Sequence, residues 1–315
     1  MVKTIVGLMG SSVSKGSTSV ATPSQLSSFL GVCKQYKVHE LDTARVYNEG
    51  KSEELLGQVP ERHDFAISTK APGFSPGSLS YDKVIDNCNK SVQALQLNRG
   101  KVDIYYFHGP DSTTPIEDSC KAIDVLHKEG KFERFGISNL SDEVVTRIYE
   151  YCKAQNIILP SVYQGGYNPI HRNVEKTLLP LLKKYKIQFY AWGPLAGGAL
   201  AKDIDEIMNP KEGSRYQAMP YLKDHFLKDG VPDALRKLNA KCKKNDVTLF
   251  EATLRFMKHH SALQEDDGVI LGASTNEQLE ANLKAASGGP LDDSLVKAFE
   301  ELWLDVKHLA PAYSF

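Results

Sequence analysis

The segment "ELDTARVYNEGK" begins at Glu40 and brings an acid, a base, a phenol and a second base close together: Asp42, Arg45, Tyr47 and Lys51. Two later apolar runs end on groups that could work with them, Lys70 after "FAIST" and His108 after "VDIYYF". Jointly they suggest proton transfer by a tuned tyrosine. A free phenol, with a pKa of about 10, is a poor acid and a poor base near neutrality. A close ammonium favours the phenolate by roughly 1–3 units. Lys70 could supply that charge and Asp42 could keep the lysine charged and oriented. His108 could hydrogen-bond the same substrate oxygen, and Tyr47 would protonate a carbonyl oxygen as charge develops on it. Such a site needs a hydride source, since the sequence shows no serine triad, cysteine nucleophile or metal cluster. Taken singly, each residue has a plainer reading. A Lys or Asp ending a strand is commonly a solvated terminus, and a His after an apolar strand is commonly a satisfied polar group.

Residues so far apart need a scaffold that returns to one place. Short β-rich runs recur at 5–10, 38–43, 65–70, 102–108, 134–138, 160–164, 187–192 and 268–273. Between them apolar residues fall at helical spacing, as in Val84, Cys88, Val92 and Leu95, or Leu178, Leu181 and Leu182. Alternation of this kind predicts βα units and a parallel sheet. Eight runs, continuous rather than strictly alternating, predict an α/β fold of the (β/α)8 TIM-barrel type, a single domain over residues 1–315. Active sites of such barrels form at the C-terminal ends of the strands. Asp42, Lys70, His108, Ser138, Asn139, Gln164, Trp192 and Ser274 all stand there, with Tyr47 in the loop after the second strand. Ser138 and Asn139 could equally cap the next helix. Ser274 and Glu277 have capping-box spacing. Residues 11–19 read as a polar loop, and about 202–232 as a long irregular connection after the seventh strand, a lid candidate. A helix and tail close the chain.

Composition narrows the class. The chain has 315 residues, 41% hydrophobic and 24% charged, with a formal net charge of −1. Nothing there suggests a nucleic-acid or anionic-membrane footprint. Five scattered cysteines without a CxxC favour neither a disulfide framework nor a zinc site. The N-terminal apolar run is too short for a signal peptide, and no stretch reaches the ~18–20 apolar residues of a membrane span. The expectation is a cytoplasmic protein. Competing motifs fail: "GKS" at Gly50 lacks the earlier glycine of a phosphate loop, which is Arg45 here, and no GxGxxG follows a strand. The His259–His260 pair lacks companion ligands, so no metal is expected. Glycosidase chemistry would need a second carboxylate beside Asp42.

With these residues in place the sequence resembles the aldo-keto reductases over essentially its whole length. The likeness is strongest to the aflatoxin-aldehyde reductase branch, through "ELDTA-x-x-Y", "STKA", "HGPD", "GISN", "VYQGGYN", "PLAGG", "ILGAS-x-x-EQLEANL" and the ending "PAYSF". The resemblance implies an NADPH-dependent carbonyl reductase, with NAD a lesser possibility. It makes Tyr47 the acid/base, completed by Lys70, His108 and Asp42. It implies that Ser138, Asn139 and Gln164 hold the nicotinamide carboxamide beside Trp192. The pyrophosphate would lie along Gly193, Pro194, Leu195, Gly197 and Lys202. Gly272, Ser274, Gln278 and Asn282 would surround the adenosine phosphate, and Arg215 would clamp over the cofactor. Three departures stand out. The family usually has tyrosine where this chain has Trp192, many relatives have arginine at the position of Gln278, and "ARV" at 44–46 is divergent. As a hypothesis, Arg45 faces the pocket mouth and favours anionic or strongly polar substrates; a solvated arginine is the plainer reading. The implied partner is a small carbonyl substrate, and the branch tends to form homodimers. Two alternatives stay open: a cofactor-binding regulatory subunit of the potassium-channel β type, and a barrel enzyme using Lys70 as a Schiff base.

Overall fold

The structure, a computed structural model, describes residues 2–9, 20–98, 100–210 and 215–315; of Arg215 and Ala218 only the backbone is described. Eight strands form a closed parallel barrel in chain order: β1 (Lys3–Gly7), β2 (Glu40–Asp42), β3 (Ala66–Ala71), β4 (Val102–Phe107), β5 (Phe132–Ser138), β6 (Pro160–Gly166), β7 (Gln188–Trp192) and β8 (Gly268–Gly272). Closure is made by β1 pairing with β8, from Lys3 opposite Gly268 to Gly7 opposite Gly272. Helices α1 (Pro23–Gln35), α2 (Lys51–Gly57), α3 (Tyr81–Leu95), α4 (Ile116–Lys128), α5 (Asp142–Ala154) and α6 (Leu178–Tyr185) follow the first six strands in turn.

Strand β4 shows why the runs are continuous. Tyr105 and Phe107 face the helices, and the Tyr105 hydroxyl donates to the Val84 carbonyl of α3 at 3.0 Å. Ile104 and Tyr106 face the barrel axis, where they pack with Ile5, Val162, Tyr190 and Ile270. Both faces are buried, so neither can be polar. Gly136 on β5 makes room for this filling: a Cβ there would lie 2.2 Å from the Tyr106 ring. At the N-terminal end the axis is closed by Arg134, which bonds Asp103, Glu40, Gln188 and Tyr190.

Among its described residues the connection after β7 is largely helical. It holds α7 (Ile204–Met208), α8 (Arg215–Ala218), α9 (Tyr221–Phe226), α10 (Val231–Lys244) and α11 (Leu249–His259). Two of its prolines and one glycine open helices: Pro220 caps α9, and Gly230 with Pro232 starts α10. Tyr216, Leu222 and Phe226 are buried, and the Tyr216 hydroxyl donates to the Ala196 carbonyl at 2.8 Å, which docks the segment on the turn after β7. The loop expected at 11–19 lies outside the described residues. After β8 come α12 (Asn276–Ala286) and α13 (Asp293–Val306), then the tail. The α12 cap is one residue later than the spacing suggests. Thr275 accepts from the Gln278 N–H, while the Gln278 side chain accepts from the Ser274 N–H at 2.9 Å. The helix after β5 is capped by Ser141, so Ser138 and Asn139 are not spent as caps.

Candidate active site

Asp42 ends β2 and Lys70 lies near the end of β3, and parallel pairing sets the two strands side by side. Lys70 is fully buried on the axis-facing side. Its ammonium donates to both Asp42 oxygens, at 2.8 and 2.7 Å, and to the Thr43 carbonyl at 2.7 Å. The same Asp42 Oδ1 accepts from the Gln164 amide at 2.9 Å, across the barrel mouth. The lysine Nζ stands 5.1 Å from the Tyr47 ring centroid, and the Tyr47 ring meets His108 edge-on at 5.8 Å. The four residues expected from the sequence are thus brought together.

The electrostatics differ from expectation in one respect. Burial is the largest influence on Tyr47 and raises its pKa; Lys70 pulls it back and Asp42 adds to the rise. The net direction is up from the ordinary phenol value, so the lysine moderates the desolvation of the phenol without making it a phenolate. For Lys70, burial pushes down, but Asp42 and Tyr47 more than offset it and the ammonium is held above its usual range. An amine that must attack a carbonyl needs the opposite shift, which counts against the Schiff-base alternative. Burial, helped by Lys70, lowers the His108 pKa to about 3, so its imidazole is neutral at physiological pH. Its Nδ1 is buried without a hydrogen-bond partner among the described residues.

The polar groups around this cluster fit a nicotinamide cofactor. Ser138, Asn139 and Gln164 are buried at the ends of β5 and β6. Asn139, at φ 60°, donates to the His108 carbonyl and to Ser138 Oγ, each at 2.9 Å, and accepts from the Trp192 indole at 3.2 Å. The larger indole therefore orients the Asn139 amide, a contact the sequence did not foretell. Gly193, at φ 67°, has open space where a Cβ would lie. Its carbonyl accepts from Asn168, and Pro194, Leu195 and Gly197 continue the turn. Gly272 likewise has open space beside it, and its carbonyl accepts from the buried Asn282 amide at 3.0 Å. The N-terminus of α12, with Ser274 and Gln278 beside it, presents the positive end of a helix dipole suited to an anion, although the Gln278 and Ser274 N–H groups are taken up by the cap. Lys202 is exposed. The Arg215 side chain lies outside the described residues.

Arg45 is tied to α2. Its guanidinium pairs with Glu53 of α2 at 2.7 Å. One residue that sequence reasoning missed stands at the mouth beside His108. Phe74, held at φ 65° after β3, meets His108 at 5.8 Å and Phe315 at 5.4 Å, both edge-on. Phe74 is 49% exposed and Phe315 70%. An aromatic residue amid "APGFSPG" was the available signal. Asp111 of "HGPD" ties the loops after β3 and β4 together by accepting from the Gly77 and Leu79 N–H groups, each at 2.9 Å. Among the described residues no group of His, Cys, Asp or Glu could hold a metal, and no helix is long and apolar enough to cross a membrane.

A closed barrel whose mouth gathers a lysine–carboxylate pair, a phenol and a neutral imidazole is built for chemistry on a polar bond of a small molecule. The chain belongs to the aldo/keto reductase family, whose model matches residues 9–304, and is an oxidoreductase acting on carbonyl groups. Among its relatives, human aldo-keto reductase family 7 member A3 is 41% identical over 87% of each chain. Oxidoreductase sirO of Leptosphaeria maculans is 37% identical over 91% of this chain and 88% of its own. Mouse aflatoxin B1 aldehyde reductase member 2 is 38% identical over 87% and 78%.

Proposed function

We propose that this chain reduces an aldehyde or ketone to the alcohol with NADPH, Tyr47 giving the proton. The observation that carries the reading is the Asp42–Lys70 pair beneath Tyr47, with His108 beside it. A bound reduced nicotinamide supplies the hydride. Ser138, Asn139 and Gln164 hold its carboxamide, and the turn after β7 and the start of α12 take its phosphates. The Tyr47 hydroxyl donates a proton to the carbonyl oxygen as negative charge grows there. The Lys70 ammonium makes that loss less costly by lying against the phenol ring, and Asp42 keeps the ammonium in place. His108, neutral, orients the same oxygen by one hydrogen bond. Family members use NAD(P)H; the preference for NADP rests here on Lys202, Arg215 and Ser274. Phe74 and Phe315 at the rim suit a carbonyl compound with an apolar or aromatic body. A cytoplasmic location and a homodimer complete the proposal. Tyr47→Phe tests it. Cofactor binding should stay near wild type while reduction of an aromatic aldehyde falls by about 100-fold or more. Near-normal turnover would remove Tyr47 from the chemistry.

A further inference from the structure

Arg45 stands two residues before Tyr47, in the turn between β2 and α2. Its guanidinium lies over Gly50, where a Cβ would come within 2.7 Å of it, and pairs with Glu53 Oε2 at 2.7 Å. Glu53 is fully buried, and its other oxygen accepts from Thr69 Oγ1 at 2.5 Å. Thr69 immediately precedes Lys70 on β3. One buried carboxylate is therefore shared between the strand that carries the lysine and the turn that carries the phenol. The backbone repeats the link, since the Arg45 N–H donates to the Lys70 carbonyl at 3.4 Å. The turn needs such a tie. Asn48, Glu49 and Gly50 follow Tyr47 with φ of 50°, 56° and 89°, a left-handed run that suits glycine, is tolerated by asparagine and strains Glu49. Strained backbone of this kind persists where its surroundings over-determine it.

We propose that Arg45 is a positioning residue for the proton donor: through Glu53 and Thr69 it fixes the strained turn so that the Tyr47 ring stays against Lys70 and His108. The inference rests on the reading of Tyr47 given above. It also replaces the idea of Arg45 as a receptor for anionic substrates.

The test uses the full chain as Tyr47→Phe, Arg45→Lys, Arg45→Met, and Arg45→Met combined with Glu53→Gln, which leaves no buried charge unpaired. Each is assayed with NADPH on 4-nitrobenzaldehyde and 4-carboxybenzaldehyde. Cofactor affinity is read from tryptophan fluorescence, and amide exchange of residues 43–50 is followed without cofactor. The combined variant is expected to lose kcat by about 10-fold or more on both aldehydes alike, the scale of a misplaced catalytic group. Its cofactor affinity should hold and its 43–50 amides should exchange faster, with Arg45→Lys recovering part of both. Wild-type kcat and exchange in the folded combined variant would overturn the proposal; if neither methionine form folds, the same result in Glu53→Gln, which keeps the side-chain volume but removes the charge that holds Arg45, would do so. A loss confined to the carboxylate-bearing aldehyde would return Arg45 to substrate binding and also overturn it. Full turnover in Tyr47→Phe overturns the functional reading instead, and the exchange result then judges the turn on its own.

Discussion

At the residue scale, one lysine answers to two demands. It must stay charged while fully buried, and it must lower the cost of ionising a neighbouring phenol. The bidentate contact with Asp42 meets the first, since an unpaired buried ammonium would shed its proton. The second is met only in part, because burial outweighs Lys70 at Tyr47. For reduction this is useful: a phenol whose pKa lies above its ordinary value keeps its proton at neutral pH and has it to give. His108 sets a matching expectation on the acid side. With its pKa lowered to about 3, its protonation cannot shape the rate near the ordinary histidine value of 6.5. Turnover in the reducing direction should therefore cross that region without a step from His108. Rates measured from about pH 8 to about pH 5 check this; a limb near 6.5 that vanishes in His108→Gln would refute it.

At the scale of elements, the site is assembled by loops tied to one another. Asp111 shows how. Burial alone would raise its pKa, but the Thr113, Leu79 and Gly77 N–H groups and the Thr114 hydroxyl hold its carboxyl well below the usual carboxylate range. The segment after β3 that carries Phe74 is thereby fixed to the segment after β4 that begins at His108. Asp111→Ala removes the acceptor of several N–H groups at once. A loss of about 2–3 kcal/mol is expected in urea unfolding, with KM for aromatic aldehydes rising as Phe74 loses its seat. An unchanged KM would detach Phe74 from the substrate. The "HGPD" motif was legible in the sequence as part of a family likeness. Its role as a loop clamp was not, because Gly77 and Leu79 are more than thirty positions earlier and nothing local marks them as donors.

At the scale of the whole molecule, acid stability follows from two neutral histidines held away from water. His171 is 2% exposed, against the rings of His225 and Phe226 from α9. Burial first, then His225, lowers its pKa to about 4. Both His171 and His108 are thus depressed below the unfolded value of 6.5. Between that value and about 4 the unfolded chain binds more protons than the folded one, so stability should fall as pH falls through this window. The Asp111 contribution is present above its unfolded value of 3.8 and is lost only below it. His171→Phe keeps a ring in place and removes one of the protons taken up on unfolding. Urea unfolding at several pH values should then show a shallower decline from 6.5 to 4; an unchanged slope would exclude His171 as its source.

By itself the sequence determined the eight strands in their order and the four central residues, while the first strand, expected at 5–10, runs Lys3–Gly7. Strands buried on both faces must be continuously apolar, so they stand out from amphipathic helices, and a strand end is visible where a charge interrupts the run. It did not determine the helices between β7 and β8, since proline and glycine mark a helix start as readily as a loop. Nor did it determine where Arg45 points. An arginine side chain is long enough to reach the mouth or the helix behind it, and the choice belongs to Glu53, a carboxylate buried by packing between α2 and β3 that must find a cation. Only the tertiary structure brings that acid and that base together. It likewise decided that Tyr47 remains a phenol, because desolvation depends on everything packed around the ring and not on the nearest charge alone.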